Sequence, residues 1–328
     1  RPFYALDTRK ALGGYVFDSI RNDPRYAYGN QVGEFENDEQ FAELYGGWSA
    51  GLQNGWVRRW TAGVTYHRNR FAPVPDESLG GPLPEDRELA YPWVGFDLVQ
   101  DMYQERTNQD QIERTEDVLL GFRAGARLGY AAEAFGSDRD ALMFSAYAQD
   151  GWDLNPKSSF FVTGTVSGRV ESDGLRNGML SAEARYYLTT SERTKFFATI
   201  NGMTTEKLDA DRQVLLGGEE GLRGYPLRYQ AGTSRALLTL EERYYTGWYP
   251  FRLFHVAGAA FFDMGRTWGT DVTGATSDGL LKDVGIGLRL GSSRSAFGNV
   301  IHIDLAFPLD GGDDVDSVQF VVETKVRF

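Results

Sequence analysis

One arginine and two carboxylates stand out among the residues that could do chemistry. Arg223 lies in the glycine-rich stretch LGGEEGLRGYPLRYQAG at 216–232, whereas Glu241 and Asp263 lie in segments where apolar and polar residues alternate. Because side-chain direction reverses at every residue of a strand, Asp263 points to the same side as Phe261. A guanidinium that reaches this side can bind a carboxylate through two parallel hydrogen bonds. The pattern predicts an ion-paired anchor, provided that the loop folds inward.

The neighbours of Arg223 suit such a loop. We expect Gly224 to adopt backbone angles that a side chain would forbid, and further glycines to let the loop bend sharply, namely Gly217, Gly218 and Gly221. Tyr225 can pack on a wall of strands while its hydroxyl finds a partner. The alternative is an ordinary surface loop whose arginine pairs with solvent or lipid phosphate.

Alternating segments must position these side chains. In the last one, one face carries Val318, Phe320, Val322, Thr324, Val326 and Phe328. The other face carries Gln319, Val321, Glu323, Lys325 and Arg327. Such alternation requires an apolar environment on one face and a solvated one on the other, but it fits a soluble sandwich as well as a membrane barrel.

Segment lengths and connections favour the barrel. We predict about sixteen strands, one for roughly every 20 residues, which is in the range of outer-membrane barrels. They lie near 3–9, 14–22, 25–36, 40–52, 56–68, 91–105, 115–131, 139–150, 158–170, 177–189, 194–205, 235–246, 252–267, 280–291, 298–307 and 317–328. Short connections alternate with long ones, and polar residues 108–117 read as a periplasmic hairpin end. The expected fold is all-β, a single closed antiparallel transmembrane barrel over 1–328.

Composition narrows the functional classes. The 328 residues carry a formal net charge of -12, which argues against nucleic acid as a partner. There is no cysteine, so neither a disulfide nor a thiolate metal site can form, and we expect no cofactor or metal. Mean hydropathy is -0.40, a value that also suits a barrel because lipid-facing and inward residues alternate. The chain begins at Arg1 without a signal peptide, which suggests a processed or trimmed form.

Three motifs in order carry a resemblance to a known family. Leu222-Arg223-Gly224-Tyr225 is similar to the (V/L)RG(F/Y) signature of the BamA/TamA superfamily of outer-membrane assembly factors and two-partner secretion transporters. Phe261-Phe262-Asp263-Met264-Gly265 resembles its F-x-D-x-G element, and Glu241 its acidic position on the preceding strand. The resemblance covers essentially the whole chain and is strongest from 212 to 328.

The resemblance implies a barrel of the bacterial outer membrane whose sixth outer loop folds inward, with five strands after it. It implies translocation or insertion of proteins, or of lipids, rather than catalysis. The expected partners are outer-membrane lipids and lipopolysaccharide, together with a translocated polypeptide or a periplasmic protein. Relatives usually carry POTRA modules or a patatin-like lipase domain before the barrel. The chain is then either a short member without POTRA domains or the barrel part of a longer one.

The C-terminal segment resembles the signal by which such barrels are recognised for insertion. Its apolar residues at alternate positions include Phe320, Val322, Val326 and the terminal Phe328. The alternative is an ordinary edge strand that ends at a phenylalanine.

Two rival functions remain. A passive diffusion pore would need an unobstructed interior. A lipid-modifying enzyme would use Ser49 in the G-x-S-x-G stretch at 47–51, but a turn follows this serine where the nucleophile motif requires a helix. The acidic loop at 310–316 could hold a divalent cation, but it lacks the spacing of a calcium loop, so we expect a solvated loop there.

Overall fold

The described part of the chain is built almost entirely of strands. A computed structural model describes residue 3 and residues 5–277, 279–293 and 299–325. Two short 3-10 helices lie at Glu133–Phe135 and Pro250–Arg252. Across these ranges, none of the helices is long and apolar enough to span a membrane.

Eighteen strands occur in the described ranges. They are β1 (Lys10–Ala27), β2 (Asn30–Gln53), β3 (Trp56–Pro73), β4 (Arg87–Gln100), β5 (Tyr103–Thr107), β6 (Thr115–Leu119), β7 (Arg123–Ala131), β8 (Ala141–Asn155), β9 (Ser158–Glu171), β10 (Gly174–Thr189), β11 (Thr194–Glu206), β12 (Val214–Leu216), β13 (Gln230–Gly232), β14 (Ser234–Trp248), β15 (Phe254–Trp268), β16 (Leu281–Ser292), β17 (Val300–Pro308) and β18 (Gln319–Lys325).

Fourteen of these strands form one antiparallel sheet with a simple meander order. The order is β1-β2-β3-β4-β7-β8-β9-β10-β11-β14-β15-β16-β17-β18. The remaining four form two hairpins, β5-β6 and β12-β13. Among the described residues no ladder joins β1 to β18, so these two strands are the edges of the sheet as described.

The two faces of the sheet differ in polarity, as the faces of membrane-spanning strands do. The loop at 207–233 and the β5-β6 hairpin pack on one face, which we call the inner face. On β16 the charged residues Asp283 and Arg289 point to this face and are fully buried, whereas Ile286 points outward and is 59% exposed. A soluble sandwich would bury the apolar face instead. Charged residues inside and apolar residues outside are typical of strands that face lipid.

The connections lie at two ends of the sheet. The upper end carries those at 28–29, 74–86, 132–140, 172–173 and 207–233. The lower end carries tight turns at 54–55, 156–157 and 190–193, and a longer connection at 101–122 that contains the β5-β6 hairpin. The predicted alternation of short and long connections holds only in part, because the upper end also has two-residue turns at 28–29 and 172–173 and the lower end has the long connection at 101–122.

The main sheet has fourteen strands where the sequence predicted about sixteen, and the difference lies near the N-terminus. Residues 5–9 form no strand, and β1 runs unbroken through Pro24. An edge strand tolerates proline because its missing N–H need not pair within the sheet. Likewise β2 continues through the polar stretch at 37–39. Here both faces are polar, so the alternation that reveals a strand is lost.

The predicted strand at 91–105 ends later than the observed strand, and the predicted strand at 115–131 begins earlier than the observed one. β4 ends at Gln100 and β7 begins at Arg123, and the residues between them fold into the separate β5-β6 hairpin. The loop at 207–233 is therefore the fifth of the described upper connections rather than the sixth. Five strands of the main sheet follow it, as the sequence predicted.

Candidate functional site

The last strands of the sheet place a row of charged side chains on the inner face. β14 contributes Glu241 and Arg243, β15 contributes Phe261 and Asp263, β16 contributes Asp283 and Arg289, and β17 contributes Asp304. The register puts Glu241 opposite Phe261, and Asp263 opposite Asp283. Facing residues of paired strands lie close enough to interact directly. Four strands thus form one charged patch on the wall.

The loop at 207–233 delivers its tip onto this patch. Its stem is the β12-β13 hairpin, and Gly221 adopts a φ of 106°, a left-handed conformation that suits glycine. Leu222 and Tyr225 are buried in an apolar cluster with Leu216 of the stem and Leu237 and Leu281 of the wall. Burial of these side chains on both sides of Arg223 fixes the tip.

Arg223 is fully engaged by the wall. Its Nε and Nη2 donate to the two carboxylate oxygens of Asp263, at 2.7 and 3.0 Å. Its Nη1 donates to Glu241 at 3.1 Å and to Asp304 at 3.2 Å. The residue is 1% exposed. Three carboxylates that bind a guanidinium in this way fix its position and compensate its positive charge.

Phe261 forms a platform beneath the guanidinium. The Cζ atom of Arg223 lies 3.4 Å from the centre of the Phe261 ring, which is the geometry of a cation–π contact. The ring itself needs Gly285 on the next strand, because a Cβ there would lie 2.1 Å from the ring. The phenylalanine of the F-x-D-x-G element therefore contacts the arginine through its face.

Two further arginines surround Glu241. Arg289 donates to both of its oxygens, at 3.0 and 2.7 Å, and also donates to Asp304. Arg243 donates to it at 2.9 Å. The cluster thus gathers three guanidinium groups and four carboxylates, counting Asp283. Each of the three guanidinium groups is paired with at least one of Glu241, Asp263 and Asp304, and removal of one partner would leave an uncompensated buried charge.

Gly224 is required for space rather than for unusual backbone angles, which corrects the expectation from the sequence. Its φ is outside the left-handed region. A Cβ on Gly224 would lie 2.4 Å from the Cβ of Asp283. This close approach lets the Gly224 N–H donate to Asp283 at 2.9 Å. Beside it, the Tyr225 hydroxyl donates to the Lys282 carbonyl, also at 2.9 Å.

Sequence reasoning missed Asp283, Asp304 and Arg289 as members of the cluster. Asp304 and Arg289 lie on the polar side of clearly alternating strands, so a search for charged residues at inward positions would have found both. Their contact with Arg223 and Glu241 depends on strand register, which alternation within one strand does not reveal.

The other predicted residues have varied positions. Gly265 lies where a Cβ would come within 3.0 Å of the Ala236 carbonyl. Phe320 and Val322 are exposed on the outward face of β18, while Val326 and Phe328 lie outside the described residues. Ser49 is fully buried, and its hydroxyl accepts a hydrogen bond from the Gly51 N–H at 3.0 Å.

The acidic loop after β17 is tied to its surroundings. Asp310 pairs with Lys282, and Asp314 accepts a hydrogen bond from the Tyr229 hydroxyl. Within the described ranges, no group of three or more histidine, cysteine or acidic residues could hold a metal ion. At the Arg223 cluster, ion pairs attach the loop to the wall.

Comparison with known proteins identifies the family. A model described as the Omp85 superfamily domain matches residues 119–326, more than half of the 328 residues. The comparison with curated proteins gave no match.

Solved structures give distant likenesses. CdiB from Escherichia coli is 13% identical with a TM-score of 0.47, and the alignment covers 96% of this chain and 61% of CdiB. BamA from Haemophilus ducreyi lacking POTRA domains 1-3 is 11% identical with a TM-score of 0.37, over 97% of this chain and 70% of that one. OccK5 from Pseudomonas aeruginosa is 11% identical with a TM-score of 0.32, over 96% and 97%. The present chain thus spans less than two thirds of CdiB. The domain match confirms the resemblance seen in the motifs: the chain belongs to the Omp85 superfamily of bacterial outer-membrane β-barrels.

Proposed function

We propose that this chain moves proteins, or lipids, across or into the outer membrane, with its inward loop held as a fixed internal strut. The observation that carries the proposal is the complete burial of Arg223 among Asp263, Glu241 and Asp304. A loop that served only to contact solvent would not bury its arginine against three carboxylates. The strut gives the interior a defined shape.

The tip of the strut, around Arg223, is attached to one part of the wall. Its charged contacts fall on β14, β15, β16 and β17. The adjoining wall of β9, β10 and β11 presents hydroxyl and amide side chains inward, namely Thr163, Thr165, Ser181, Thr199 and Asn201. Such side chains exchange hydrogen bonds with water and with peptide groups. This wall suits a hydrated, extended polypeptide better than an apolar ligand.

We propose further that the sheet closes into a barrel through its edges β1 and β18. Leu12, Val16 and Ile20 on β1 and Phe320 on β18 are exposed apolar residues, as strands in lipid require. Unpaired backbone groups are not tolerated in the hydrocarbon layer, so an outer-membrane sheet must pair its edges. The C-terminal segment with Phe320 and Val322 would then serve as the insertion signal, in contact with outer-membrane lipids.

The rival functions have less support. A passive diffusion pore needs an open interior, whereas the loop at 207–233 and the β5-β6 hairpin both occupy the inner face. Catalysis by Ser49 would need a histidine nearby. His67 pairs with Glu39 instead. On the neighbouring strand β2, the residue opposite His67 is Phe41. Phe41 lies eight residues from Ser49, a separation of roughly 26 Å along the strand. We therefore propose that the chain is not an enzyme.

An Arg223→Ala variant tests the strut. Vesicles that contain the protein are mixed with a urea-unfolded outer-membrane barrel protein, and its insertion is followed by protease protection. We expect the variant to slow insertion at least about tenfold, because loss of one partner from a buried charge cluster costs roughly 3–5 kcal/mol and frees the loop. Heat-modifiable migration on gels shows whether the variant is still a folded barrel.

Arg228→Ala is the matched control. Arg228 lies in the same loop, but it pairs with the half-exposed Glu219, and its side chain is 29% exposed. We expect this variant to insert the probe at the rate of the unaltered protein. Equal rates for Arg223→Ala and Arg228→Ala would rule out the strut. A rate no faster than that of empty vesicles for the unaltered protein would count against the function itself.

A further inference from the structure

The connection between β4 and β7 is longer than its position requires. The other described turns at the lower end that are complete, at 54–55, 156–157, 190–193 and 249–253, have five residues or fewer. This one spans 101–122 and contains the β5-β6 hairpin, which pairs only with itself. A turn of a few residues would suffice to join two neighbouring antiparallel strands. The extra residues therefore form a structure of their own.

The hairpin extends across the inner face to strands far from its origin. It contacts, in strand order, Asp153 of β8 through Arg106, Tyr187 of β10 through Asp110, Lys195 of β11 through Thr107, and Tyr245 of β14 through Asn108. The last three are hydrogen bonds of 2.7, 2.7 and 3.1 Å. Between its base on β4 and β7 and its furthest contact, the hairpin passes beneath half of the main sheet.

One apolar side chain fixes the tip at the far side. Ile112 is 1% exposed and packs with Tyr245 of β14, Ala257 of β15 and Val300 of β17. Gly291 of β16 leaves space for it, because a Cβ at this position would lie 2.8 Å from the Ile112 Cβ. The hairpin thus spans the lower mouth from β4 to β17.

The tip is preorganised by its own residues. The Glu116 carboxylate accepts hydrogen bonds from the backbone N–H groups of Gln109, Asp110 and Gln111. The Asn108 side chain accepts another from the Glu113 N–H. A tip that satisfies its own backbone donors keeps its shape when its contacts with the wall are lost. The hairpin can therefore move as a unit.

Polar cavities lie on both sides of this obstruction. One, of about 340 Å³, lies between the hydroxyl-bearing wall of β9–β11, Glu220 of the loop and Arg235 of β14. A second, of about 460 Å³, lies between the hairpin and the wall near Gln149 and Arg185. Both are bordered by polar groups. They lie along β7–β11, the part of the wall that joins β14 and the Arg223 cluster.

We propose that the β5-β6 hairpin is a displaceable plug, which closes the lower mouth of a polar passage along β9–β11 to ions and small hydrated solutes. The hairpin contacts the wall through an ion pair, three hydrogen bonds and the packing of Ile112, and water can replace the polar contacts. The inference rests on the proposed closure of the sheet into a barrel, and it does not depend on which polypeptide or lipid the protein moves.

The absence of cysteine from the chain permits a direct test. An Ile112→Cys/Gly291→Cys variant places two thiols close enough to form a disulfide after a small shift. The protein is inserted in planar bilayers in potassium chloride. We expect transient openings from the reduced form, and loss of at least nine tenths of them on oxidation, with recovery when dithiothreitol is added.

A second variant removes the plug. Residues 104–118 are replaced by a short Gly-Ser turn, and we expect a steady conductance several-fold above that of the unaltered protein. The control is Glu105→Cys/Asp117→Cys, which links two facing, exposed residues within the hairpin. Its openings should be the same in both redox states. Openings that are equally frequent, or equally absent, in both forms of the Ile112→Cys/Gly291→Cys variant would overturn the proposal. So would an unchanged conductance in the shortened variant, shown to be folded by heat-modifiable migration.

Discussion

At the scale of single residues, the site depends on glycines as much as on charged side chains. Gly224, Gly285 and Gly287 each lie where a Cβ would meet a member of the cluster. At Gly287 this Cβ would lie 1.8 Å from an oxygen of Asp304. The close packing of the charged groups therefore requires glycine at these three positions. A substitution at any of them should act through steric displacement.

Gly224→Ala should displace the loop tip from the wall. The added Cβ would lie 2.4 Å from the Asp283 Cβ, and neither atom can rotate away. We expect about 1–3 kcal/mol of destabilisation, the usual cost of overpacking. It would be measured as a lower midpoint of denaturant unfolding, followed by heat-modifiable migration.

Gly258→Ala is the control, because no atom lies within 4 Å of its added Cβ. It should leave the midpoint almost unchanged. Similar losses in both variants would show that glycine is needed for strand formation in general rather than for the approach to Asp283.

Alternation in the sequence was enough to put Glu241 and Asp263 on one face, because this depends only on the two-residue period of a strand. It could not show that Asp304 contacts Arg223 across 81 positions, since that requires the register of four strands. It also could not show why Gly224 is needed. That reason becomes visible only when Asp283 is placed opposite it.

At the scale of elements, the upper loops are fixed by ion pairs of their own. Arg87 donates to both carboxylate oxygens of Asp211, and Arg169 does the same to Asp209. Arg25 donates to three backbone carbonyls, of Leu79, Pro82 and Ala210. The first turn of the long loop is thereby attached to β1, β4 and β9. This attachment is separate from the Arg223 cluster.

The attachment through Asp209 should weaken in acid. Burial alone would raise the pKa of Asp209, but the hydrogen bond from Arg169 and the charges of Arg87 and Arg212 lower it below its ordinary value of 3.8. A carboxylate with a lowered pKa stabilises the folded loop above this ordinary value, and the stabilisation is lost as the pH falls through the lowered pKa. A fluorophore on an Ala210→Cys variant should become more accessible to acrylamide below pH 3.8.

An Asp209→Asn change in the labelled protein provides the comparison. Its fluorophore should already be accessible at neutral pH, because the amide lacks the charge that binds Arg169. If the labelled protein with Asp209 intact showed no rise in quenching down to pH 2, the ion pair would not be what holds the turn.

The elements themselves could be predicted where their two faces differ. From β8 onward, apolar and polar residues alternate, and the predicted strands lie close to those observed. The predictions were wrong in β1 and β2, because these strands extend past the apolar zone and become polar on both faces. The β5-β6 hairpin was read as the ends of two neighbouring strands, since a hairpin packed inside has the same strand signals as the wall.

At the scale of the whole molecule, exposed aromatic residues mark the position of the membrane. Trp48, Trp60, Trp152 and Trp248 point outward near the lower turns and are 45–64% exposed. Tryptophan at this level is typical of the boundary between lipid tails and headgroups. By contrast, Trp93 is buried on the inner face, beneath Arg127.

Two single-tryptophan variants can check this orientation. One keeps only Trp60 and the other only Trp93, with phenylalanine at the remaining tryptophan positions. In vesicles of brominated lipid we expect strong fluorescence quenching of Trp60, which is 53% exposed, and little quenching of Trp93, which is 7% exposed. Equal quenching of the two would contradict the assignment of inner and outward faces.

The distribution of partners around Arg223 has a consequence for how the chain reaches its final form. These partners come 18, 40 and 81 residues later along the chain. During assembly from the N-terminus, the guanidinium meets its full set of acids only after β17 has arrived. Glu241 and Asp263 can bind it once β14 and β15 are in place, and the third acid, Asp304, joins with β17. The loop and the wall therefore take their final positions only when β17 is added.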